Sequence, residues 1–350
     1  MAFFMSTTVS FPGLGIEAFS FDRVAFTVFG KPIYWYGVLI MLGILAAFLH
    51  AGIRCKQEKI STDDILDVGI FTVFFGVLGA RLYYVLTTLG EYEYNSFIDV
   101  IAIWEGGLAI YGGILAGGTA VVLTCLYKKI NPFKVTDTVA PGVGLAQAIG
   151  RWGNFMNGEA YGYEVAEGSL FYRFRMGLIS DYTGSEMRFY HPTFLYESLW
   201  NILGFVIITL LYRKKKFNGQ VALMYLAWYG FGRMFIEGLR TDSLYVGPFR
   251  ISQVVGIVCF VVSTTLLILG LILQHKGKLP ASMQVSWAEP ATAEAAEAAA
   301  GAETVETTET AETTETTEGT EVTEAVEDTA EEDSGSAAES ASAPTEGEKP

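Results

Sequence analysis

The stretch ISQVVGIVCFVVSTTLLILGLIL, residues 251–273, does not contain a single charged residue. About 20 apolar residues are enough for a helix to cross the hydrocarbon core of a bilayer. Six further segments resemble it, so the sequence predicts an all-α integral membrane protein, a bundle of about seven transmembrane helices. The fourth segment contains Asp137 and Pro141 and therefore requires shelter among its neighbours. The predicted segments are residues 34–53, 65–86, 107–127, 135–150, 193–212, 221–237 and 251–273.

The formal charge divides the chain into two regions. The whole chain carries -15, whereas residues 288–350 hold 17 Glu and 2 Asp against one Lys, which leaves residues 1–287 at +3. The acidic region is a low-complexity mixture of Ala, Thr, Glu and Ser that buries too little apolar surface to offset its ordering entropy. We therefore expect a disordered acidic tail over residues 280–350, either a solvated spacer or a protein-binding segment.

Basic residues in the short loops predict the orientation of the bundle. Lys and Arg follow the first, third, fifth and seventh segments, with RKKK at residues 213–216, whereas the loop over residues 87–105 contains neither. The positive-inside rule then places the N-terminus outside the membrane and the C-terminus in the cytoplasm. The predicted parts are an extracytoplasmic segment over residues 1–30, a membrane domain over 31–279 with an outer subdomain at about 151–192, and the tail.

Composition also argues against several classes of site. The N-terminus lacks the basic region and cleavage site of a removable signal peptide. The basic residues form no stripe suited to nucleic acid, so no nucleic-acid partner is expected. Cys55, Cys125 and Cys259 lie in or beside apolar runs without metal-ligand spacing, so we expect buried thiols and no metal.

Charged residues in the sixth segment share one face of the predicted helix. Arg233, Glu237 and Arg240 follow at i, i+4 and i+7, so Glu237 is placed to hold both guanidinium groups while their outer edges stay free. A planar guanidinium suits bidentate binding of phosphate. Together with Arg151 at the end of the fourth segment, this stripe predicts a site for an anionic lipid headgroup near the outer leaflet.

Other polar residues at this level have structural alternatives. Arg81 could extend its charge to the interface, and Tyr34, Trp35 and Tyr36 could form an aromatic belt. A transporter or a lipid-binding membrane protein could also bind an anionic headgroup. A transporter is disfavoured because the chain shows no inverted repeat and its ionisable residues gather near the outer end rather than at the midplane.

The third segment is rich in glycine within EGGLAIYGGILAGG, residues 105–118. Gly112, Gly113, Ala116 and Gly117 form a small-xxx-small pattern that allows two helices to approach closely. The pattern therefore predicts a helix-packing face rather than a phosphate-binding loop.

One stretch after the fourth segment, GRWGNFMNGEAYG at residues 150–162, combines Arg, Glu, two Asn and four Gly. It resembles the signature of the bacterial prolipoprotein diacylglyceryl transferase family, G-R-x-G-N-F-x-N-x-E-x-[FY]-G, at every fixed position. The resemblance covers about residues 30–275. Five companion motifs occur in the same order: YWYG (34–37), GARLYYV (79–85), WEGGLAIYGG (104–113), HPTFLYE (191–197) and GFGRMFIEGLRTD (230–242).

The resemblance implies an enzyme of the bacterial cytoplasmic membrane. It would transfer a diacylglyceryl group from phosphatidylglycerol to the lipobox cysteine in the signal peptide of a prolipoprotein, forming a thioether and releasing glycerol phosphate without a cofactor. The resemblance also implies the residues of the site. They are the phosphatidylglycerol contacts Arg151 and Arg233, the ordering residues Asn154 and Glu159, the nearby Tyr36, and Glu237 and Arg240, which support Arg233 at the headgroup.

Tyr111 departs from the family pattern, in which this position is a histidine often discussed as a catalytic base. Tyr34 likewise replaces a histidine. A phenol with its ordinary pKa of about 10 is a poor base at neutral pH unless cations lower that pKa. Two interpretations stay open: Tyr111 hydrogen-bonds the lipid, or another group accepts the thiol proton.

Overall fold

The computed structural model describes residues 6–90 and 92–285. They belong to a unit that spans residues 1–288, and most of the predicted tail, residues 286–350, lies outside them. Helices dominate this part of the chain. They are α1 (Trp35–Glu58), α2 (Thr62–Thr87), α3 (Phe97–Ile101), α4 (Ile110–Tyr127), α5 (Pro132–Asn157), α6 (Thr193–Leu211), α7 (Gln220–Ile236) and α8 (Ile251–His275).

Five helical segments are long and apolar enough to cross a membrane: α1, α2, α4, α8, and α6 extended to Lys214. The remaining two predicted spans correspond to α5 and α7. α7 has 17 residues, and α5 carries charged and polar residues along 26 residues rather than the short span expected from the sequence. α5 packs against α1, α6 and α7, so its polar positions and Pro141 are sheltered by neighbouring helices.

One end of the bundle carries β-structure, so the all-α prediction is wrong there. The strands are β1 (Ser6–Phe11), β2 (Ile16–Asp22), β3 (Val24–Val28), β4 (Lys31–Tyr34), β5 (Met176–Ser180), β6 (Gly184–Tyr190), β7 (Tyr245–Val246) and β8 (Phe249–Arg250). An antiparallel sheet has the order β2-β1-β5-β6, and β3–β4 and β7–β8 form separate hairpins. Residues 6–22 thus share one sheet with residues 176–190 through the pairing of β1 with β5, although the sequence predicted that they belong to separate parts.

The sheet covers a small apolar core. Val9 and Phe11 from β1 pack with Met176 and Leu178 from β5, and Phe194 at the start of α6 extends this cluster to the helices. Burial of these side chains supplies the driving force for the sheet. We call this end of the bundle, where α5 and α7 end and α1 and α6 begin, the sheet end.

The opposite end, where α1 and α4 end, is rich in lysine, and we call it the lysine end. Asn218, just before α7, donates its backbone N–H to Met283 O at 2.8 Å and its side-chain amide to Gln284 O at 2.7 Å. The side chain of Asn131 donates to Ser282 O. Residues 281–284 are therefore held by the loops of the bundle, and the predicted start of a disordered tail at residue 280 is wrong.

Glycines allow α2 and α4 to approach each other closely. A methyl group added to Gly112 would collide with the carbonyl oxygen of Gly79 and with Cβ of Tyr83, and one added to Gly79 would collide with Cβ of Ala116. The predicted small-residue packing face on the third segment is confirmed.

α6 and α7 are joined by a reciprocal tryptophan pair. Nε1 of Trp200 donates to Trp228 O at 3.1 Å, and Nε1 of Trp228 donates to Trp200 O at 2.9 Å. The two indole rings stack with centroids 4.2 Å apart and planes 13° from parallel. The side chains satisfy their polar atoms while packing, which fixes one helix against the other.

Candidate functional site

The glycine-rich stretch at residues 150–162 forms the end of α5 and the turn that follows it. α5 ends at Asn157, and Gly158 adopts a left-handed conformation with φ 65° that caps the helix. A side chain at Gly158 would be strained, and its Cβ would lie 2.7 Å from Cβ of Ser180 in the sheet. This turn brings Glu159 back toward the last turns of α5.

The Glu159 carboxylate is bound by side chains from both sides of the turn. Oε1 accepts hydrogen bonds from Asn154 at 3.0 Å and Asn157 at 3.2 Å, and Oε2 accepts one from the Tyr182 hydroxyl at 3.4 Å. Asn154 in turn accepts from Nη1 of Arg151 at 3.2 Å. The arrangement links the helix, the turn and the β5–β6 hairpin through one carboxylate.

A second carboxylate, Glu197 on α6, connects three arginines. Its Oε2 lies 2.8 Å from Nε of Arg151, and its Oε1 lies 3.1 Å from Nη1 of Arg233 and 3.0 Å from Nη1 of Arg240. Glu197 is buried, and three guanidinium groups compensate its desolvation. The motif HPTFLYE contains this residue, but the sequence did not predict a role for it at the site.

Glu237 does not hold two arginines as the sequence predicted. It pairs with Arg233 at 2.6 Å, whereas Arg240 pairs with Asp242 at 2.6 Å and with Glu197. The physical reason is that α7 ends at Ile236 and a short 3-10 turn follows over residues 237–239, so Arg240 leaves the helical stripe. Glu237 also accepts a hydrogen bond from Arg250 through its backbone carbonyl.

The segment after the turn holds Arg240 in place. The backbone of Gly162 forms an antiparallel β-bridge with that of Arg240, and the Gly162 N–H donates to His191 O at 2.9 Å. A methyl group on Gly162 would lie 2.8 Å from Leu239 O and 2.7 Å from Cβ of His191. The end of the signature thus lies between two segments and bonds to both: the one that leads from β6 to α6, and the one that follows α7.

The three arginines differ in how far they are available to a ligand. Among the described residues, Nη2 of Arg151 has no hydrogen-bond or ion-pair partner, and 22% of its side chain is exposed. The side chain of Arg233 is 12% exposed. Arg240 is 9% exposed and engages Nε, Nη1 and Nη2 with Asp242 and Glu197. Arg151 therefore offers an open guanidinium edge, while Arg240 is occupied.

The tyrosines predicted at the site lie in different places. The Tyr36 ring packs on α5, where a methyl group on Gly153 would lie 2.9 Å from it, and the phenol is within electrostatic range of Glu159 and Arg151. Tyr111 is half-buried in the first turn of α4 and makes no hydrogen bond or ion pair with the described members of the cluster. Tyr36 thus lies within electrostatic range of Arg151, whereas Tyr111 has no hydrogen bond or ion pair to Arg151 among the described residues.

Arg81 is bound by the segment that joins α2 to α4. It is buried and donates to backbone carbonyls of the α2–α4 connection, namely those of Asp99, Val100, Gly106 and Gly107. Its guanidinium group therefore fixes this loop.

Two pKa shifts outside the helices describe the electrostatics of the sheet end. Burial raises the pKa of the Tyr182 hydroxyl, and the negative charge of Glu159 raises it further, so this phenol stays protonated and donates. Burial would also raise the pKa of Asp242, but the Arg240 guanidinium outweighs it and holds that pKa below its usual value. Among the described residues, no three His, Cys, Asp or Glu side chains are grouped to hold a metal.

Glu197, Asp242 and Tyr182 belong to this network but were not predicted as site residues from the sequence. Glu197 and Asp242 lie at the ends of two companion motifs, which is a signal that could have found them. Tyr182 follows β5 in a part of the chain without a motif, and only the folded hairpin places its hydroxyl on Glu159.

Five helices long and apolar enough to cross a membrane, and a cluster of arginines paired with buried carboxylates at one end, define the class as a helical membrane protein. The family model for prolipoprotein diacylglyceryl transferase matches residues 23–269. This chain belongs to that family.

Curated relatives share most of their length with this chain. The phosphatidylglycerol--prolipoprotein diacylglyceryl transferase of Clostridium kluyveri is 42% identical over 247 residues, which covers 69% of this chain and 94% of the relative. The protein of the same name from Streptococcus uberis is 42% identical over 250 residues, 71% and 95% of the two chains. That of Staphylococcus aureus strain Newman is 40% identical over 256 residues, 73% and 91%.

Proposed function

We propose that this chain transfers the diacylglyceryl group of phosphatidylglycerol to the lipobox cysteine in the signal peptide of a prolipoprotein. Its membership of the prolipoprotein diacylglyceryl transferase family supports the reaction, as do the names of its relatives. The observation that carries the assignment of the site is the guanidinium group of Arg151. Glu197 and Asn154 fix it through Nε and Nη1, and its remaining edge is open.

The headgroup phosphate binds at this open edge, with Arg233 as the second cation. Both guanidinium groups are held by Glu197, so their positions are set before the lipid arrives. Arg240 and Glu237 act one step away. Arg240 orients Glu197, and Glu237 orients Arg233. The Glu159 network, with Asn154 and Tyr36 beside it, fixes the far side of Arg151.

The transfer exchanges one bond for another. The cysteine sulfur attacks the phosphate-bearing carbon of the diacylated glycerol and forms a carbon–sulfur bond, and its proton passes to solvent or to the departing phosphate. The carbon–oxygen bond breaks, and glycerol phosphate leaves with the electron pair. A free thiol of pKa about 8.5 is a few per cent thiolate at neutral pH and is a strong nucleophile. The main requirement of the reaction is stabilisation of the negative charge that develops on the departing phosphate, and Arg151 and Arg233 provide it.

The same proposal includes the arrangement in the membrane. The sheet end faces outward, the lysine end faces the cytoplasm, and α5 and α7 complete a seven-helix bundle in the bacterial cytoplasmic membrane. The lysines after α4 and α6 support this orientation through the positive-inside rule. In this proposed orientation Arg151 lies near the outer leaflet, where a lipid and a membrane-inserted signal peptide both reach it by lateral diffusion.

The decisive experiment uses the purified full chain in phosphatidylglycerol vesicles with a synthetic lipobox peptide. We expect mass spectrometry to show a peptide heavier by one diacylglyceryl unit. Two controls should give no product: a peptide with serine in place of cysteine, and vesicles of phosphatidylcholine. A folded protein that leaves the peptide mass unchanged would contradict the proposal, and lipid binding without transfer would favour the lipid-binding alternative.

A further inference from the structure

Two helical hairpins in the bundle have matching boundaries. Adding 70 to both ends of α2 (Thr62–Thr87) gives both ends of α5 (Pro132–Asn157). The same shift carries α1 onto the region of α4, which begins five residues later and ends one residue earlier than the shift requires. Both hairpins start at the sheet end, so any repeat is parallel rather than inverted.

The sequences of the two hairpins agree at the same shift without a gap. Comparing residues 35–87 with residues 105–157 gives twelve identical pairs, including the tetrapeptide GILA at 43–46 and again at 113–116. Arg81 and Arg151, the arginines at the sheet ends of α2 and α5, form one of these pairs.

The corners of the two hairpins have the same backbone geometry. Lys59 and Lys129 both adopt a left-handed conformation, with φ 55° and 56°. The next residue in each corner donates its N–H to a carbonyl near the end of the preceding helix, Cys55 O or Cys125 O, at 3.0 Å in both cases. Such a hydrogen bond closes the end of a helix. Non-glycine residues with positive φ are uncommon, so their occurrence at equivalent positions is an independent sign of a repeat.

Contacts between the hairpins also come in equivalent pairs. A methyl group on Gly43 of α1 would lie 3.0 Å from Ala146 O of α5, and one on Gly113 of α4 would lie 3.4 Å from Gly76 O of α2. Adding 70 to the number of Gly43 gives Gly113, and subtracting 70 from the number of Ala146 gives Gly76, so the two contacts are equivalent under the repeat. Helix α1 thus packs on α5 as α4 packs on α2, which is the pattern of a twofold axis between the two hairpins.

A further pair of contacts joins equivalent residues, with the glycine and the carbonyl group exchanged between the two helices. A methyl group on Gly142 would lie 3.0 Å from Ala47 O, and one on Gly117 would lie 3.4 Å from Thr72 O. The repeat therefore extends along the interface and is not confined to one crossing point.

The ionic contacts at the lysine end show where the symmetry is broken. Lys128 at the end of α4 lies 2.6 Å from Asp67 of α2. Lys128 also lies 2.7 Å from Asp64, and the residue equivalent to Asp64 is Lys134, whose Nζ donates to Glu58 O at 3.5 Å. The residues equivalent to Lys128 and Asp67 are Glu58 at the end of α1 and Asp137 of α5, which are both carboxylates. Lys215, from the α6–α7 connection, lies between them, 2.6 Å from Glu58 and 2.9 Å from Asp137.

We propose that α1–α2 and α4–α5 are two copies of one helical hairpin, and that Lys215 supplies from outside the repeat the cation that Lys128 provides in one copy and that Glu58 replaces in the other. Lys215 is in this sense a positioning residue for the helices that follow the repeat. Asp67 stays 46% exposed beside Lys128, whereas Lys215 and Asp137 are completely buried. The acidic notch of Glu58 and Asp137 is therefore the docking point for α6 and α7.

The notch also fixes the start of α7 directly. Asp137 accepts hydrogen bonds from the backbone N–H of Gly219 at 2.8 Å and of Ala222 at 2.9 Å, which satisfies donors at the N-terminus of this helix. Arg233 lies near the other end of α7. Docking at the notch thus positions α7, the helix that carries Arg233, at the site where Arg233 and Arg151 share Glu197. Arg81, the residue equivalent to Arg151 in the other copy, donates instead to loop carbonyls.

Moving the cation from position 215 to position 58 tests this inference. Lys215→Met removes the cation that lies between the two buried carboxylates, and Glu58→Lys places a second cation beside Lys215. Each single variant should lower the midpoint of thermal unfolding in detergent by about 10 °C, because one member of a buried ionic group is left uncompensated. In the double variant, the lysine introduced at position 58 faces Asp137 as Lys128 faces Asp67, and we expect most of the loss to be recovered.

Lys216→Met provides the matched control, since Lys216 is the exposed neighbour of Lys215, and its midpoint should be unchanged. The turnover number of transfer per folded protein should fall in Lys215→Met and recover in the double variant. This readout rests on the proposed function, whereas the thermal cycle does not. The inference would be overturned if the double variant unfolded at a midpoint no higher than that of the less stable single variant. Absence of transfer in the unaltered protein would count only against the proposed function.

Discussion

At the scale of single residues, Glu197 organises the site because one carboxylate contacts Arg151, Arg233 and Arg240 at about hydrogen-bond distance. Removing its charge while retaining its shape leaves three cations facing each other. Glu197→Gln should therefore lower transfer by about 100-fold, since small displacements of positioned groups cost that much. The measurement is the initial rate in phosphatidylglycerol vesicles.

Glu186→Gln is the matched control for this change, because Glu186 is exposed on β6 and is not in contact with the arginine cluster. Its transfer rate should equal that of the unaltered protein. A Glu197→Gln variant with a normal rate would show that the arginines keep their positions without this carboxylate.

Arg151 and Tyr111 give opposite expectations. Arg151→Ala removes the open guanidinium edge and should lower the rate by about 100-fold or more, the usual loss of a donor to transition-state charge. Tyr111→Phe removes a hydroxyl that makes no bond to the described members of the cluster. The rate of this variant should therefore fall by much less than the factor of about 100 expected when a general base is lost. Equal and complete loss of transfer in both variants would show that Tyr111 has a direct role.

At the scale of elements, the α2–α4 pair depends on glycine at the crossing. Gly112→Ala would press a methyl group against Gly79 O and Tyr83, and overpacking of this kind typically costs about 1–3 kcal/mol. We expect a lower midpoint of thermal unfolding. Gly118→Ala on the same helix is the control, because no described atom lies within 4 Å of an added methyl group there. Equal midpoints for the two variants would contradict the close approach described above.

The helices were largely predictable from the sequence, whereas the sheet was not. A run such as residues 251–273 carries its own signal in hydropathy, and α8 (Ile251–His275) follows it closely. β1 pairs with β5 through contacts such as Val9 with Leu178, far apart in the chain. Local periodicity contains no information on such a pairing.

The candidate site was predictable in composition but not in connectivity. Arg151 and Arg233 were found from their charge at helix ends, and both contact the same carboxylate. The prediction that Glu237 pairs with Arg240 failed because the sequence does not reveal that α7 gives way to a 3-10 turn at residue 237. Which carboxylate meets which arginine depends on where a helix stops.

At the scale of the whole molecule, the C-terminal boundary has a measurable consequence. Truncation after Val285 keeps the hydrogen bonds of Ser282, Met283 and Gln284 to the loops, so stability and transfer should match those of the full chain. Truncation after Leu279 removes those bonds and should lower the midpoint of thermal unfolding.

The comparison of these two truncations separates the tail from the segment that anchors it. Loss of transfer in a folded, inserted protein truncated after Val285 would show that residues 286–350 take part in the reaction. Equal stability of both truncations would show that the hydrogen bonds of residues 282–284 to Asn131 and Asn218 contribute little.

The stacked pair of Trp200 and Trp228 gives the molecule an internal spectroscopic label. Two indoles 4.2 Å apart and nearly parallel couple their electronic transitions, and that coupling depends steeply on separation and angle. Near-ultraviolet circular dichroism therefore reports whether α6 and α7 are in register, without any added dye. Because α6 carries Glu197 and α7 carries Arg233, the same signal follows the assembly of the site in a protein that has no substrate bound.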